Sequence, residues 1–220
     1  GKDLLVVLLS GTAWLFRCPS IPVAAWIAIH SLVRMLITAG GIQLVCVTRL
    51  CGLPSSGKTC LAFIMMAASQ QQRSALFPDG LTTCLWDVEG IWSEPYGASI
   101  GIDTEKMGLN AAVTVEDIAA EMELLLRSCH LHVVDSASAA KTVDELAAKP
   151  EDWLPMIEAR AWKRAWRRIE AKFDTAENVI ILVDHMSENY KTKQRKAQGG
   201  KVFDHASSMS IELSSGGWLF

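Results

Sequence analysis

Residues 51–60 read CGLPSSGKTC and lie between an apolar, β-rich run, IQLVCVTRL (42–50), and an apolar run of good helix formers, LAFIMMAASQ (61–70). Gly52, four intervening residues, Gly57, Lys58 and Thr59 satisfy the pattern G-x-x-x-x-G-K-[ST]. In such a loop the glycines let backbone N–H groups turn inward around a phosphate, and the following helix presents its positive N-terminal end. Lys58 would reach the β- and γ-phosphates and the Thr59 hydroxyl would sit on Mg²⁺. An ordinary glycine-rich turn demands neither a lysine nor a threonine at those places. Gly52, Leu53, Pro54, Ser55, Ser56, Gly57, Lys58, Thr59 and Cys60 are therefore the candidate nucleotide-binding residues, with a nucleoside triphosphate and Mg²⁺ as the implied ligands.

Outward from this loop, strand-like and helix-like runs alternate. LTTCLWDVEG (81–90) is a short apolar strand ending in Asp87 and Glu89, after the turn FPDG (77–80). TVEDIAAEMELLLRSC (114–129) has apolar positions at helical spacing, Thr114 as N-cap and Asp117 three residues on, an approximate capping box. HLHVVDS (130–136) is a strand ending in Asp135, and NVIILVDH (178–185) one ending in Asp184 and His185. DWLPMIEARAWKRAWRRIEAKF (152–173) is a basic amphipathic helix, and SSMSIELSSGGWLF (207–220) holds a last strand-like run. This alternation predicts an α/β fold: a P-loop NTPase core with a mostly parallel central sheet and helices on both faces. The acids that end the strands would then share one sheet edge with the glycine loop, where such folds place their chemistry.

The chain has 220 residues, half of them hydrophobic, enough for a substantial core. Its net charge of −3 gives no bulk attraction to a polyanion, so nucleic-acid binding requires a local basic cluster. The six cysteines (18, 46, 51, 60, 84 and 129) show no C-x-x-C and no metal spacing with histidine, and read as reduced, mostly buried thiols of a cytoplasmic protein. His130 and His132 read as strand-edge residues. The N-terminal apolar run (4–16) is too short to span a membrane, and the next is interrupted by His30 and Arg34. Residues 1–39 read as a packing or oligomerisation segment and residues 40–220 as the ATPase core. Because the chain opens on Gly rather than Met, an upstream portion is expected. No internal repeat or low-complexity tract is present.

Hydrolysis needs a group that orients or deprotonates water. Glu89 is the candidate, with Asp87 the alternative two residues earlier on the same strand face. Asp135 is placed to hold magnesium through water. Lys191, Lys193, Arg195 and Lys196 cluster beside Gly199 and Gly200, whose bare amides can approach phosphates, in a loop (186–200) expected to order on meeting a polyanion. In the basic helix, Trp162, Trp166, Ile169 and Phe173 recur as a core-facing stripe, leaving Arg160, Lys163, Arg164, Arg167 and Arg168 on the remaining circumference.

These blocks, in order, resemble the RecA family of recombinases and in particular its phage-type members: GLPSSGKTCLA, LWDVEGIWSEPYGASIGID, LHVVDSASA, IEARAWKRAWRRI, VDHMSENY and GGKVFDHASSMSIEL, over roughly residues 40–213. The resemblance implies Glu89 as catalytic glutamate with Lys58, Tyr96 as the aromatic that stacks on adenine, Asp135 with Thr59 at the metal, and His185 as the polar sensor of the γ-phosphate that signals to the basic loop. It implies that Arg160, Lys163 and Arg167 meet the DNA backbone, after a first DNA loop at ELAAKPEDW (145–153). The run after Glu89, GIWSEP, departs from the usual one. The sequence stops at GGWLF, short of where the family supplies a further strand with lysines that complete a neighbouring subunit's ATP site; either that segment lies outside this stretch or activation across subunits works differently. The implied protein is an ATP-dependent recombinase that forms a helical filament on single-stranded DNA, then pairs it with duplex, in the cytoplasm of a bacterial or phage-infected cell. A hexameric helicase motor sharing the same core, and an accessory protein that binds nucleotide without turnover, are the competing readings.

Overall fold

The computed structural model describes residues 3–9, 12–18, 46–71, 77–149, 156–173, 178–188 and 195–216. Its centre is a sheet of β1 (Asp3–Leu9), β2 (Thr12–Cys18), β3 (Cys46–Gly52), β4 (Thr83–Asp87), β5 (Met107–Asn110), β6 (Leu131–Asp135), β7 (Val179–Glu188), β8 (Arg195–Ala197) and β9 (Met209–Gly216). The order is β2-β1-β9-β3-β7-β6-β4-β5, with β8 pairing β7 alone. From β9 to β5 neighbouring strands run parallel. At the β9 edge, β1 and β2 add an antiparallel hairpin, so part of segment 1–39 joins the same sheet. β5, an edge strand of four residues interrupted by Gly108, was too short to announce itself and was not foreseen in the sequence.

Strands buried on both faces must be apolar at every position, which is why β6 and the first half of β7 are near-continuous hydrophobic runs. The pleat divides them between two cores. Val133, Val183 and Ile181 face a cluster with α1 (Lys58–Gln71), whose side from Leu61 to Gln70 is buried throughout. Val134, Ile180 and Leu182 face the opposite cluster, built with α3 (Val115–Leu125) and α5 (Ile157–Phe173). The smaller helices are α2 (Glu94–Ile100), α4 (Val143–Ala147) and α6 (Gly200–Ala206).

Local chemistry sets the helix starts. Thr114 caps α3 by accepting from the Asp117 amide at 3.1 Å, and its hydroxyl donates to Asp117 Oδ2 at 2.5 Å. The complete capping box belongs instead to α4, where Thr142 and Glu145 exchange both bonds. On α5, Trp162, Trp166 and Ile169 are buried, and the two indoles stack 5.8 Å apart, as their spacing predicts; the Phe173 side chain lies outside the described residues. Arg164 and Arg168 pair with Glu116 and Glu123 of α3, so these two cations clamp one helix to another at the surface.

Candidate nucleotide site and nucleic-acid interface

β3 ends at Gly52 beside its register partner His185 on β7. The loop then turns through Ser55 (φ 60°) and Gly57 (φ 90°) before α1 begins. Gly52 is required by space: a Cβ there would lie 2.4 Å from Ser56 Oγ and 2.5 Å from the Leu213 carbonyl oxygen. Gly52→Ala is therefore expected to displace the loop and weaken nucleotide binding at least tenfold, measured by titration with a fluorescent ATP analogue, while the apolar core keeps its circular dichroism. Lys58 is buried, and its Nζ donates to the Gly52 and Leu53 carbonyls at 3.0 Å each. Burial lowers its pKa, and Asp135, Glu89 and Asp184 pull in the opposite direction. The lysine is thus held over the loop's mouth by weak carbonyl partners that a phosphate would replace. Ser56 Oγ is buried without a partner.

Opposite the loop stand the ends of β4 and β6, where Asp87 and Asp135 are register partners. Asp87 spends both oxygens on the turn that follows it, accepting from the Ile91 and Trp92 amides at 3.0 and 2.9 Å. Glu89 lies within that turn. Its Oε1 accepts from Ser136 Oγ and is bonded to His185 Nε2 at 2.6 Å; neither bond uses Oε2. Burial works to raise the Glu89 pKa, but the bonds from His185 and Ser136, with the charges of His185 and Lys58, outweigh it and hold it below the usual range. Glu89 is a carboxylate at any working pH.

Asp135 is the contrary case. Burial raises its pKa to about 6, a hydrogen bond with Thr59 offsets part of this, and the Glu89 and Asp87 charges push it further up. Its Oδ2 is buried without a partner. An acid whose pKa is raised in the fold costs stability once charged: the cost is absent below its ordinary value of 3.8 and complete above about 6. Asp135→Asn is therefore expected to stabilise the ligand-free protein by about 3 kcal/mol above pH 7, an advantage that vanishes below about pH 4 in thermal melts. Such a position is kept for something other than folding, and an orphaned oxygen bonded on its other side to the loop threonine suits a divalent cation.

His185 links this edge to the basic loop. Its amide donates to Ser138 Oγ at 3.0 Å, and its carbonyl accepts from the Gln198 amide at 2.8 Å. β7 continues past it to pair with β8, Met186 to Ala197 and Glu188 to Arg195, so both arms of the basic loop begin beside the nucleotide edge. Lys191 and Lys193 lie outside the described residues, and so does the Arg195 side chain; Lys196 is exposed. Gly199 donates its amide to both Asp184 oxygens, at 3.1 and 3.3 Å, and a Cβ there would meet the Phe203 ring at 1.8 Å. That gives Gly199 a reason in packing. Gly200 has φ 58° and open space around it.

Asp184 is itself held by a residue that sequence reasoning missed. Arg49, buried in β3, donates its Nε to Asp184 Oδ2 at 2.8 Å, reaches Asp204 on α6 with its other arm, and lies over the Phe203 ring at 5.7 Å. An arginine inside an otherwise apolar parallel strand was the available signal. Tyr96 sits half exposed on α2, its ring 6.2 Å from that of Phe63. Arg160, Lys163 and Arg167 occupy the exposed side of α5, where with Lys201 and His205 they rim a cavity of about 470 Å³ floored by Trp166.

A parallel sheet whose carboxyl edge gathers a glycine-lysine-threonine loop, strand-end acids and a polar residue heading a basic loop defines a RecA-like α/β core. A model of the RecA N-terminal domain matches residues 24–217, and the chain belongs to the RecA family. It is 28% identical over 179 residues to Protein RecA of Mycoplasma genitalium, covering 79% of this chain and 51% of that protein. It is 28% identical over 177 residues to Protein RecA of Ureaplasma parvum serovar 3, covering 78% and 51%. Protein RecA of Deinococcus radiodurans is 25% identical over 184 residues, covering 81% and 49%. The chain spans about half the length of the curated relatives it matches. Among the described residues, no helix is long and apolar enough to cross a membrane.

Proposed function

We propose that this chain is the ATP-dependent core of a DNA recombinase that assembles as a filament on single-stranded DNA, couples that assembly to ATP hydrolysis and pairs the bound strand with duplex. The observation that carries this reading is the bond between Glu89 and His185, which ties the candidate water-activating group to the residue from which the basic loop departs. Gly52 to Cys60 would hold the triphosphate, with Lys58 exchanging its carbonyl partners for phosphate oxygens. Thr59 and Asp135 would hold Mg²⁺, which when bound supplies charge neutralisation of the phosphates. Glu89, ionised and with Oε2 outside its two bonds, would orient a water and accept its proton. Tyr96 would stack on the adenine. Loss of the Glu89 bond to His185 is the local event that would change how the basic loop's arms are held.

On this reading Arg160, Lys163, Arg167, Lys191, Lys193, Arg195 and Lys196, with the amides about Gly199 and Gly200, face the DNA backbone. Residues 1–39 serve packing or oligomerisation, and the protein works in the cytoplasm of a bacterial or phage-infected cell. Turnover of ATP should rise on adding single-stranded DNA. In Lys193→Glu/Arg195→Glu the ratio of turnover with and without DNA should fall towards unity; an undiminished ratio would remove the basic loop from the account. Electron micrographs with DNA should show open filaments, whereas closed rings would indicate a helicase-type motor.

A further inference from the structure

Cys84, Cys129 and His132 meet in the core between the sheet and α3, on strands whose far ends carry the nucleotide-site acids. Cys84 on β4 and His132 on β6 are register partners on adjacent parallel strands, so their side chains leave the same face of the sheet. Cys129 closes the turn that enters β6. The three residues are buried, and their potential ligand atoms all lie within 4.8 Å of one another. Atoms bound tetrahedrally to one ion at about 2.0–2.3 Å are about 3.3–3.8 Å apart, so side-chain movements of about 1 Å would close this cluster on an ion.

The hydrogen bonds leave the histidine in its ligating form. Its Nε2 lies 3.0 Å from the Cys129 carbonyl, which can only accept, and 3.3 Å from the Asn178 side-chain nitrogen, whose two protons go to the Leu126 and Cys129 carbonyls, so Nε2 carries the proton. Asn178 donates its side-chain amide to the carbonyls of Leu126 and Cys129, fixing the turn that this bond depends on. Nδ1 keeps its lone pair and is buried without a partner, a state that a native core seldom tolerates without reason. Burial pushes the His132 pKa down to about 4, so the ring stays neutral. The Cys129 thiol lies 3.6 Å from the Thr82 carbonyl and 3.5 Å from the Leu131 carbonyl, either of which can accept its proton.

We propose that Cys84, Cys129 and His132 form a metal site for Zn²⁺, joining β4 to β6 behind the strand ends that carry Asp87 and Asp135. Two thiolates and a neutral imidazole cancel the charge of a divalent ion, which is what a buried site requires. Two sulfurs and a nitrogen suit a thiophilic ion and not magnesium. Binding forms two metal–sulfur bonds and one metal–nitrogen bond and sends the two thiol protons to solvent. The Nε2 bond to the Cys129 carbonyl is the outer contact that holds such a ligand's ring in place. The spacing of residues 129 and 132 alone could not reveal this site, because its third ligand comes from another strand.

The probe is Cd²⁺, a zinc surrogate whose thiolate bonds absorb in the ultraviolet, added to the reduced chain and followed by dialysis. The parent should retain one equivalent, show the charge-transfer band, release two protons per ion and melt several degrees higher. Cys84→Val and Cys129→Val, which keep the site apolar and similar in volume, should each lose all four responses. A parent without the band or the protons overturns the proposal, and so does a band undiminished in Cys84→Val. Should the valine variants fail to fold, a chain with Cys18, Cys46, Cys51 and Cys60 replaced by alanine decides: it must keep the band, and its loss overturns the proposal.

Discussion

Glu89→Gln is expected to lower ATP turnover by about 10²–10⁴-fold, the usual share of a positioned general base, while nucleotide affinity changes little. Glutamine keeps the shape of the side chain and can still accept from Ser136, but it cannot take a proton from water. The pKa of Glu89 strengthens the expectation: the bonds from His185 and Ser136 hold it below the ordinary carboxylate value, so the carboxylate is charged near neutral pH. Its contribution to stability is present above the ordinary carboxylate value and is lost only as pH falls through the depressed one. Single-turnover assays with saturating ATP separate the chemical step from binding. A variant as fast as the parent would move the role elsewhere, and Asp87, whose two oxygens are spent on the Ile91 and Trp92 amides, is poorly placed to inherit it.

Arg49→Met should cost about 3–5 kcal/mol of stability, because it leaves Asp184 buried and charged without its cation. For a chain of this size that is a drop of about 6–20 °C in the melting midpoint, and chemical denaturation should give the same loss. Asp184 is fully buried and Arg49 nearly so, whereas Asp204 is largely exposed, so the large term belongs to the Asp184 partner. Asp204→Asn should accordingly cost about 1 kcal/mol or less. A full pairing of Arg49→Met with Asp184→Leu should recover much of the loss, since an apolar pair of similar volume removes the uncompensated charge.

The glycine loop and the strand-end acids were legible in the sequence because each is local. A phosphate cradle is written in consecutive residues, and a parallel strand that must be apolar throughout advertises its polar terminus. The parallel order of the sheet followed from the same alternation. What stayed hidden is non-local. Arg49 and Asp184 are separated by 135 positions and Arg49 and Asp204 by 155, and no spacing rule joins them. Ser136 and Ser138 carry no signal in the sequence, yet one bonds Glu89 and the other holds the His185 amide. Gly199 suggested a phosphate contact, and its neighbours in the fold are Phe203 and Asp184. The tryptophans of α5 were the opposite case: helical spacing alone separated the buried face from the basic one, and Trp162 and Trp166 are indeed core.

The central claim is that the nucleotide edge governs the basic loop through Glu89 and His185. Its most direct test is the affinity of the chain for a fluorescently labelled single strand, measured by anisotropy with a slowly hydrolysed ATP analogue and Mg²⁺ and again without nucleotide. The account predicts markedly tighter binding with nucleotide in the parent, and a difference that collapses in His185→Ala. Equal affinity with and without nucleotide, or a nucleotide effect untouched by His185→Ala, would contradict it.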